Sequence, residues 1–259
     1  MKKRRLSFDF ILGLVFLAVC VFNLITTQCF AQPDPGAVYV PEPGSLALIS
    51  TTGLLGYVIR FARRRFQEFK RGFDITASAI GLVLAFPLIV VTAVIIKLVS
   101  PGPAFFKQER VGKGGKIFNI YKLRTMRLDA EKESGPVWAR ENDSRYIMFG
   151  RIIRKAHLDE LPQLLNVLKG EMSIIGPRPE RPFFVQQLSK EIKDYNKRLQ
   201  VKPGITGLAQ VRQKYDETIE DVRRKVKFDL LYVRRMCLWV DVRILALTVY
   251  VALTGKGAR

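Results

Sequence analysis

The sequence contains a run of residues without charge that extends from Ile75 to Ile96 and reads ITASAIGLVLAFPLIVVTAVII. As an α-helix with a rise of about 1.5 Å per residue, it would be about 33 Å long, enough to cross a hydrocarbon core of about 30 Å. Basic residues flank the run on both sides, with Lys70 and Arg71 before it and Lys97 after it. Because basic residues mark the cytoplasmic side of a membrane segment, both ends are predicted to face the cytoplasm.

Pro87 lies near the middle of this run and offers a way for both ends to lie on one side. A proline inside a helix removes a backbone hydrogen bond and kinks the axis. We therefore predict a re-entrant membrane helix over residues 69–100, which enters the bilayer, bends at Pro87 and leaves through the same face. The alternative is an ordinary kinked span, which would place the residues after Lys97 outside the cell.

The N-terminal region predicts two further hydrophobic segments joined by a loop. Residues 1–31 begin with MKKRR and continue as an apolar run, a pattern shared by signal peptides and first membrane helices. Residues 32–44 are rich in proline and glycine and predict a short periplasmic loop. Residues 45–66 predict a membrane helix that ends in a cytoplasmic arginine cluster, so that residues 101–259 form a cytoplasmic domain.

The stretch VPEPGSLALISTTGLLGYVIRFARRR in this region resembles the PEP-CTERM sorting signal, which combines a Pro-Glu-Pro motif, a short membrane helix and an arginine cluster. Such a signal normally ends a protein, whereas this sequence continues to Arg259. The alternative interpretation is a plain membrane anchor whose loop happens to contain Pro-Glu-Pro.

Charge and composition limit the class of protein. The chain has 43 Lys and Arg against 23 Asp and Glu, a net charge of +20, and 48% hydrophobic residues. This combination fits nucleic-acid binding or attachment to an anionic membrane face. The basic residues cluster at the edges of hydrophobic segments, which favours the membrane and predicts no nucleic-acid partner. With one histidine, His157, and three scattered cysteines, a histidine-based triad and a zinc site are excluded.

The cytoplasmic part predicts an α+β fold that is mostly helical with a small sheet. Two alternating runs, Ala104–Arg110 and Lys116–Leu123, flank the glycine-rich turn VGKGG and predict a β-hairpin. Further along the chain, DETIEDVRRKVKFDLLYVRRM predicts a helix with Asp216 as its cap. The apolar C-terminal segment is predicted to lie as an amphipathic helix at the membrane surface.

Two adjacent carboxylates, Asp159 and Glu160, occur in the segment LDELPQL. They fit the N-terminus of a helix that begins near Asp159, since Asp is a favoured N-cap and proline is tolerated in the first turn. A catalytic interpretation is equally open. Arg154 lies five residues upstream and favours the ionised form of Asp159. An ionised carboxylate can attack a phosphorus centre and form an acyl phosphate.

Cations and a metal ion would complete such a site. Asp159 and Glu160 together could hold Mg²⁺, which takes oxygen ligands and neutralises diphosphate charge. Lys122, Arg124 and Arg178 are suited to binding phosphate oxygens. The set predicts phosphoryl transfer at a membrane surface.

From about Phe69 onward the chain resembles the bacterial sugar transferases, the monotopic phosphoglycosyl transferases. The resemblance rests on these segments in this order: KRGFDI, the proline-broken helix, KQERVGKGGKIFNIYKLRTM, LDELPQLLNVLKGEMSIIGPRPE, VKPGITGLAQV and FDLLYV. It implies transfer of a sugar 1-phosphate from a UDP-sugar to polyprenyl phosphate, with release of UMP. It also implies a re-entrant helix broken at a proline, which matches Pro87.

The resemblance further implies a role for each matching residue. Asp159 would be the nucleophile that forms a covalent phospho-sugar intermediate, with Glu160 as its partner near Mg²⁺. Arg154 would be associated with the prenyl phosphate. Lys122, Arg124 and Arg178 match the basic residues of the family motifs, whereas His157 receives no role.

The implied setting is the bacterial inner membrane, with the catalytic domain in the cytoplasm. Expected partners are a UDP-sugar, polyprenyl phosphate, membrane lipid and other polysaccharide-assembly proteins, in the context of exopolysaccharide or other lipid-linked glycan assembly. The alternative is a non-catalytic membrane scaffold that binds polyprenyl phosphate or partner glycosyltransferases. A scaffold has no need of Asp159, Glu160 and Arg154 together.

Overall fold

The structure is a computed structural model that describes residues 46–132, 135, 143–213 and 218–254. The predictions for residues 1–31 and 32–44 lie outside the described residues. From Val58 on, the chain belongs to one compact unit.

The first element, α1, is a helix that runs from Leu46 to Val99 and contains Pro87. The membrane helix predicted over residues 45–66 and the re-entrant helix predicted over residues 69–100 fall largely within α1, and their division into two membrane segments stays a prediction. Its stretch Arg64–Val99 contains an 18-residue window with a mean hydropathy of 2.9 and is long and apolar enough to cross a membrane, alone among the helices that the structure describes. The helix supports membrane association, while the bend at Pro87 stays a prediction.

Between Asp74 and Ile96, one face of α1 packs against the rest of the unit that begins at Val58. The buried positions recur at helical spacing, which is the pattern of a single helix face: Asp74, Ser78, Ile89, Thr92 and Ile96. The opposite face carries large apolar side chains that are strongly exposed, among them Val83, Leu84 and Leu98. Such a continuous apolar face is typical of contact with lipid.

The remaining elements are short, apart from the last two helices. The helices are α2 (Gly150–Lys155), α3 (Leu164–Lys169), α4 (Pro182–Glu191), α5 (Leu208–Arg212), α6 (Ile219–Arg235) and α7 (Leu238–Thr254). The strands are β1 (Phe105–Val111), β2 (Ile117–Leu123), β3 (Ser173–Ile175) and β4 (Gly204–Thr206). Three 3-10 helices cover Lys113–Gly115, Leu158–Gln163 and Tyr195–Gln200.

The predicted β-hairpin is confirmed. Strands β1 and β2 pair antiparallel, with Phe105 opposite Leu123 and Val111 opposite Ile117. Strands β3 and β4 form a second, parallel pair that the sequence analysis did not predict. A Cβ atom on Gly204 would lie 2.1 Å from the backbone nitrogen of Gly176, so this pair needs glycine at the point of closest approach.

A hydrophobic cluster joins α1 to the part of the chain that carries the carboxylates. Ile89 and Ile96 of α1 pack with Leu123 of β2, Ile147 and Ile153. The predominance of helices beside two short strand pairs confirms the predicted α+β class with mostly helical content.

The N-cap of helix α6 lies two residues later than predicted. Thr218, and not Asp216, is its N-cap: the Thr218 hydroxyl accepts from the backbone N–H of Asp221, and the Asp221 side chain accepts from the backbone N–H of Thr218. This reciprocal capping box satisfies two donors at once, which a lone aspartate cap would not do.

Candidate active site

The carboxylate pair lies in the 3-10 helix Leu158–Gln163, directly after a left-handed residue. His157 has φ 55° and ψ 19°, a conformation uncommon outside glycine, and it separates α2 from this 3-10 helix. Asp159 and Glu160 therefore lie inside the first turn and not at its N-cap, and no side chain caps the helix. The Oδ1 atom of Asp159 is buried without a hydrogen-bond partner. The capping interpretation of Asp159 thus has no support in this geometry.

Glu160 is held by two cations from distant segments. Lys122 Nζ, at the end of β2, donates to its Oε1 over 2.8 Å, and an Arg178 nitrogen donates to the same oxygen over 2.5 Å. Burial alone would raise the pKa of Glu160, but the charges of Arg178 and Lys122 outweigh it and hold the pKa well below its ordinary value. Glu160 is therefore ionised and fixed in place.

Asp159 is in a different electrostatic state from its neighbour. Its side chain is 5% exposed, and burial raises its pKa to about 6 even though the charge of Lys122 opposes the rise. The negative charge of Glu160 adds to the rise, and the charges of Arg154 and Arg178 offset part of it. The sequence-based expectation that Arg154 keeps Asp159 ionised was therefore incomplete, because it left out burial. At neutral pH the ionised form still predominates.

The structure brings together most of the predicted cations. Lys122 and Arg178 contact Glu160, and burial lowers the pKa of Lys122 despite the opposing charge of Glu160. Arg154, in the last turn of α2, lies over the ring of Tyr146 with 5.7 Å between its guanidinium carbon and the ring centroid. Arg154 is close enough for its charge to act on Asp159.

Arg124 occupies a different position from the one the phosphate-binding prediction implies. Its two terminal nitrogens donate to the carbonyl oxygens of Pro101 and Ser100, over 2.7 and 2.9 Å. These carbonyls follow the C-terminal end of α1, where helical carbonyls lack partners and a cation is favourable. Arg124 thus secures the end of the apolar helix and does not join the group around Glu160.

A buried ionic network contacts the backbone of Arg178. Arg198 donates to the carbonyl oxygen of Arg178 over 2.7 Å and to the carboxylate of Asp229 over 2.9 Å, and both side chains of this ion pair are 2% exposed. Glu180, two residues after Arg178, pairs with Lys225 over 2.6 Å. Burial opposes the ionisation of Glu180, but the charges of Lys225, Arg198 and Arg110 together outweigh it and lower the pKa to about 2.

These supporting residues were not predicted as part of the site. The available signal was the position of Asp229, which falls on the same face of α6 as the buried Val222 and Val226. A carboxylate on an otherwise apolar helix face requires a buried cation as partner.

The predicted magnesium site depends on the carboxylate oxygens of Asp159 and Glu160 that are free to bind a metal ion. Among the residues that the structure describes, no three His, Cys, Asp or Glu side chains are grouped so that they could hold a metal ion by themselves. The unpartnered Oδ1 of Asp159 fits a hard cation, whereas the oxygens of Glu160 are engaged by Lys122 and Arg178. This donor set suits Mg²⁺, which is commonly bound by one or two carboxylates and keeps water and phosphate oxygens as its other ligands.

The site combines a buried carboxylate whose Oδ1 has no partner, Asp159, with a cation-bound carboxylate, Glu160, in a unit that also contains a long apolar helix. These features define a class: a membrane-associated protein with a site suited to phosphoryl transfer. Comparison with known proteins identifies the family. A family model described as bacterial sugar transferase matches residues 65–255, which is more than half of the chain. The chain belongs to this family, as the sequence predicted.

Several curated relatives are similar over the same region. The UDP-N-acetylgalactosamine-undecaprenyl-phosphate N-acetylgalactosaminephosphotransferase of Aeromonas hydrophila is 49% identical over 73% of this chain and 45% of its own length. A putative undecaprenyl-phosphate N-acetylgalactosaminyl 1-phosphate transferase of Bacillus subtilis is 51% identical over 59% of this chain and 80% of its own length. The UDP-glucose:undecaprenyl-phosphate glucose-1-phosphate transferase of Caulobacter vibrioides is 45% identical over 73% and 71%. The chain thus spans less than half of the Aeromonas protein and more of the other two.

Proposed function

We propose that this protein transfers a sugar 1-phosphate from a UDP-sugar to polyprenyl phosphate, through a covalent intermediate on Asp159. The observation that carries the proposal is the state of the two carboxylates. Glu160 has its oxygens engaged by Lys122 and Arg178, while Asp159 is buried, largely ionised at neutral pH and free of a partner at Oδ1. A desolvated carboxylate without a hydrogen-bond partner is a stronger nucleophile than a solvated one.

In the first half-reaction, a carboxylate oxygen of Asp159 forms a bond to the phosphorus that carries the sugar. The bond from that phosphorus to the bridging oxygen breaks, and its electron pair leaves on UMP. Arg178 and Lys122 lie beside the carboxylates, where their charges stabilise the phosphoryl oxygens during transfer.

In the second half-reaction, an oxygen of polyprenyl phosphate forms a bond to the same phosphorus. The bond between that phosphorus and Asp159 breaks, and its electron pair returns to the carboxylate. The product is a polyprenyl-diphosphate-sugar. Arg154, which lies on Tyr146 on the Asp159 side of the site, binds the incoming phosphate.

Mg²⁺ is proposed as the cofactor, held by Asp159 with Glu160 nearby. When bound, it neutralises charge on the diphosphate oxygens. The protein's own contribution is to keep Glu160 ionised and immobile, so that its charge and the cations that it binds stay fixed during the reaction.

We also propose that α1 is re-entrant from about residue 69 and that the domain is cytoplasmic, at the inner membrane. Contacts at both ends of the apolar stretch support this proposal. At one end Lys70 donates to Asp241 over 2.6 Å, and at the other Arg124 binds the carbonyls of Ser100 and Pro101. A polar domain that holds both ends is most easily accommodated on one side of a bilayer, because these charged groups are costly in hydrocarbon.

The names of the relatives guide the choice of substrates. The Aeromonas and Caulobacter proteins are named for undecaprenyl phosphate with UDP-N-acetylgalactosamine and UDP-glucose respectively. We propose undecaprenyl phosphate as the acceptor and one of the UDP-hexoses or UDP-N-acetylhexosamines as the donor, in the assembly of an exopolysaccharide or another lipid-linked glycan with further assembly proteins.

UMP release tests the reaction. The full chain in nanodiscs is mixed with undecaprenyl phosphate, Mg²⁺ and a panel of UDP-sugars. We expect release with at least one donor, and its loss in Asp159→Asn. The matched control is Asp194→Asn, which makes the same chemical change at an exposed aspartate in left-handed conformation, a conformation that asparagine also adopts.

The scaffold hypothesis makes the opposite prediction. If the protein only binds polyprenyl phosphate, no donor releases UMP from the wild type, and Asp159→Asn binds the acceptor as the wild type does. Full UMP release by Asp159→Asn would contradict the proposed nucleophile and leave the carboxylate with a structural role.

A further inference from the structure

Three cations from distant segments converge at the start of the apolar helix, away from the carboxylates. Arg71 belongs to α1, Lys113 to the glycine-rich turn of the β-hairpin, and Lys202 to the segment before β4. The guanidinium of Arg71 is fixed, because its terminal nitrogens donate to the carbonyl oxygens of Val167 and Leu168 over 2.6 and 2.8 Å.

Gly170 shows that two of these cations face the same point in space. It ends α3 in the left-handed conformation, with φ 86°. A Cβ atom added there would lie 3.3 Å from Nη2 of Arg71 and 3.5 Å from Nζ of Lys202. Glycine therefore keeps open the space in front of both cationic groups.

Lys113 is brought to the same region by its neighbours. Gly112, directly before it, lines a small cavity together with Val201 and Pro203, the residues on either side of Lys202. The charges of Arg71 and Lys113 act on Lys202, whose pKa is lowered by partial burial and then by these two cations. The hairpin turn, which the catalytic proposal does not use, thus contributes a charge here.

These charges are only partly offset by acids in the part of the chain that the structure describes. Lys113 and Lys202 form no ion pair among the described residues. Asp74 attracts Lys202 from a distance, but its carboxylate accepts hydrogen bonds from Ser173 and the backbone of Ile174. Convergent like charges that are only partly offset are unfavourable for the fold and attract anions.

We propose that Arg71, Lys113 and Lys202 form a phosphate-binding site at the membrane entry of α1. Arg71 lies just before the charge-free run Ile75–Ile96, which is the level of lipid headgroups. The phosphate can come from an anionic phospholipid or from a soluble phosphate compound. The site shares no residue with the carboxylate centre, so it does not depend on the role of Asp159.

The lipid source is tested by lipid retention. The full chain is reconstituted in nanodiscs of equal phosphatidylcholine and phosphatidylglycerol, and the lipids that remain bound in detergent are counted by native mass spectrometry. The test variant is Lys113→Gln with Lys202→Gln. The control is Lys190→Gln with Lys227→Gln, which removes the same charge at exposed positions on α4 and α6.

The soluble source is tested by thermal unfolding in a neutral detergent. The unfolding midpoint is measured against rising concentrations of inorganic phosphate, and separately of UDP. A ligand that binds the folded state raises this midpoint. Because neither mutated lysine makes an ion pair in the described part of the chain, the double variant should fold as the control does.

The two arms have separate expected results. For a headgroup site, wild type and control retain more phosphatidylglycerol than phosphatidylcholine. In the test variant the ratio of retained phosphatidylglycerol to phosphatidylcholine falls about fivefold for each lysine removed. For a soluble phosphate, wild type and control gain stability with phosphate or UDP, and the test variant does not. If the test variant matches the control in both arms, the proposal is wrong.

Discussion

Burial and the nearby cations act on the pKa of Asp159 in opposite directions, and their balance sets the pH at which its carboxyl ionises. Burial is the larger effect and raises the pKa to about 6, while Lys122 is the strongest opposing charge. Glu160, one residue away, is ionised over a much wider pH range because Arg178 and Lys122 bind it directly. Two adjacent carboxylates thus hold different roles.

The first prediction concerns pH. The carboxyl of Asp159 is protonated and unreactive below its pKa and ionised above it, so kcat/KM for the UDP-sugar should rise with pH through about 6. At pH 5 it should be about tenfold below its plateau. A profile that is flat from pH 5 to 8, in a range where the protein stays folded, would contradict the assignment.

The second prediction uses the charges around Asp159. Lys122→Gln removes a charge that lowers the pKa of Asp159, so the midpoint of the pH profile should move up. Glu160→Gln removes a charge that raises this pKa, so the midpoint should move down. The measured quantity is the midpoint and not the height of the profile, because both variants also lose rate. Shifts in the same direction would refute the electrostatic account.

At the level of single residues, the sequence singled out Asp159 and Glu160, whose catalytic role is a proposal, but it did not predict their surroundings. Asp159 and Glu160 stood out because acids are scarce in this chain and these two lie side by side, just before a proline-led segment. Lys122 and Arg178, the cations named from the motifs, contact Glu160 in the structure. The carbonyl contacts of Arg124 could not be foreseen, because they depend on where the end of α1 packs.

At the level of elements, the site is built from short pieces held by buried ions. The turn that carries Arg178 is fixed by Arg198, which α6 in turn holds through Asp229. The third prediction follows: Asp229→Ala leaves the buried Arg198 guanidinium unpaired and should lower the free energy of unfolding by about 3–5 kcal/mol.

Urea titration in detergent measures this loss. The control is Glu220→Ala, which removes the exposed partner of Arg223 on the same helix and should cost less than about 1 kcal/mol. Equal losses in the two variants would show that the Arg198–Asp229 pair does not stabilise the fold.

The fourth prediction concerns the parallel strand pair. In Gly204→Ala the new methyl group would meet the backbone of Gly176 at 2.1 Å, so β3 and β4 must separate and the unfolding midpoint should fall sharply. Gly72→Ala is the control, since nothing lies within 4 Å of its added Cβ and it is helical, so it should be neutral or stabilise by about 0.5–1 kcal/mol. A Gly204→Ala variant as stable as Gly72→Ala would contradict the close approach.

The elements differed in how well the sequence predicted them. The hairpin was predicted because alternation over Ala104–Arg110 and Lys116–Leu123 is long enough to be recognised, and the observed strands differ from these runs by one residue at most at each end. Strands β3 and β4 have three residues each and lie in glycine- and proline-rich chain, so no periodicity marks them. Their pairing is a tertiary event that local pattern does not encode.

At the level of the whole molecule, the domain and the apolar helix depend on each other. Ile89 and Ile96 of α1 belong to the same cluster as Leu123 and Ile153, so the helix supplies part of the core next to the site. The strongly exposed opposite face needs lipid. Amphipathic spacing in the charge-free run could not reveal this division, because both faces are apolar.

The fifth prediction tests the topology. Single cysteines replace Gln67 and Lys97, both exposed, in a chain whose native cysteines are changed to serine. A re-entrant helix predicts that an impermeant maleimide labels both from the cytoplasmic face of inverted membrane vesicles, as it labels a Lys227→Cys marker in the domain. Labelling of only one of the two from that face would establish an ordinary span.

The most direct test of the central claim is the mass of the protein during turnover. Wild type and Asp159→Asn are mixed with a UDP-sugar that supports UMP release, without polyprenyl phosphate, and their intact masses are recorded. The account predicts that wild type gains the mass of one sugar phosphate, that peptide mapping places it on Asp159, and that Asp159→Asn gains nothing. An unmodified wild-type protein that still turns over when acceptor is added, or an adduct on another residue, would contradict it.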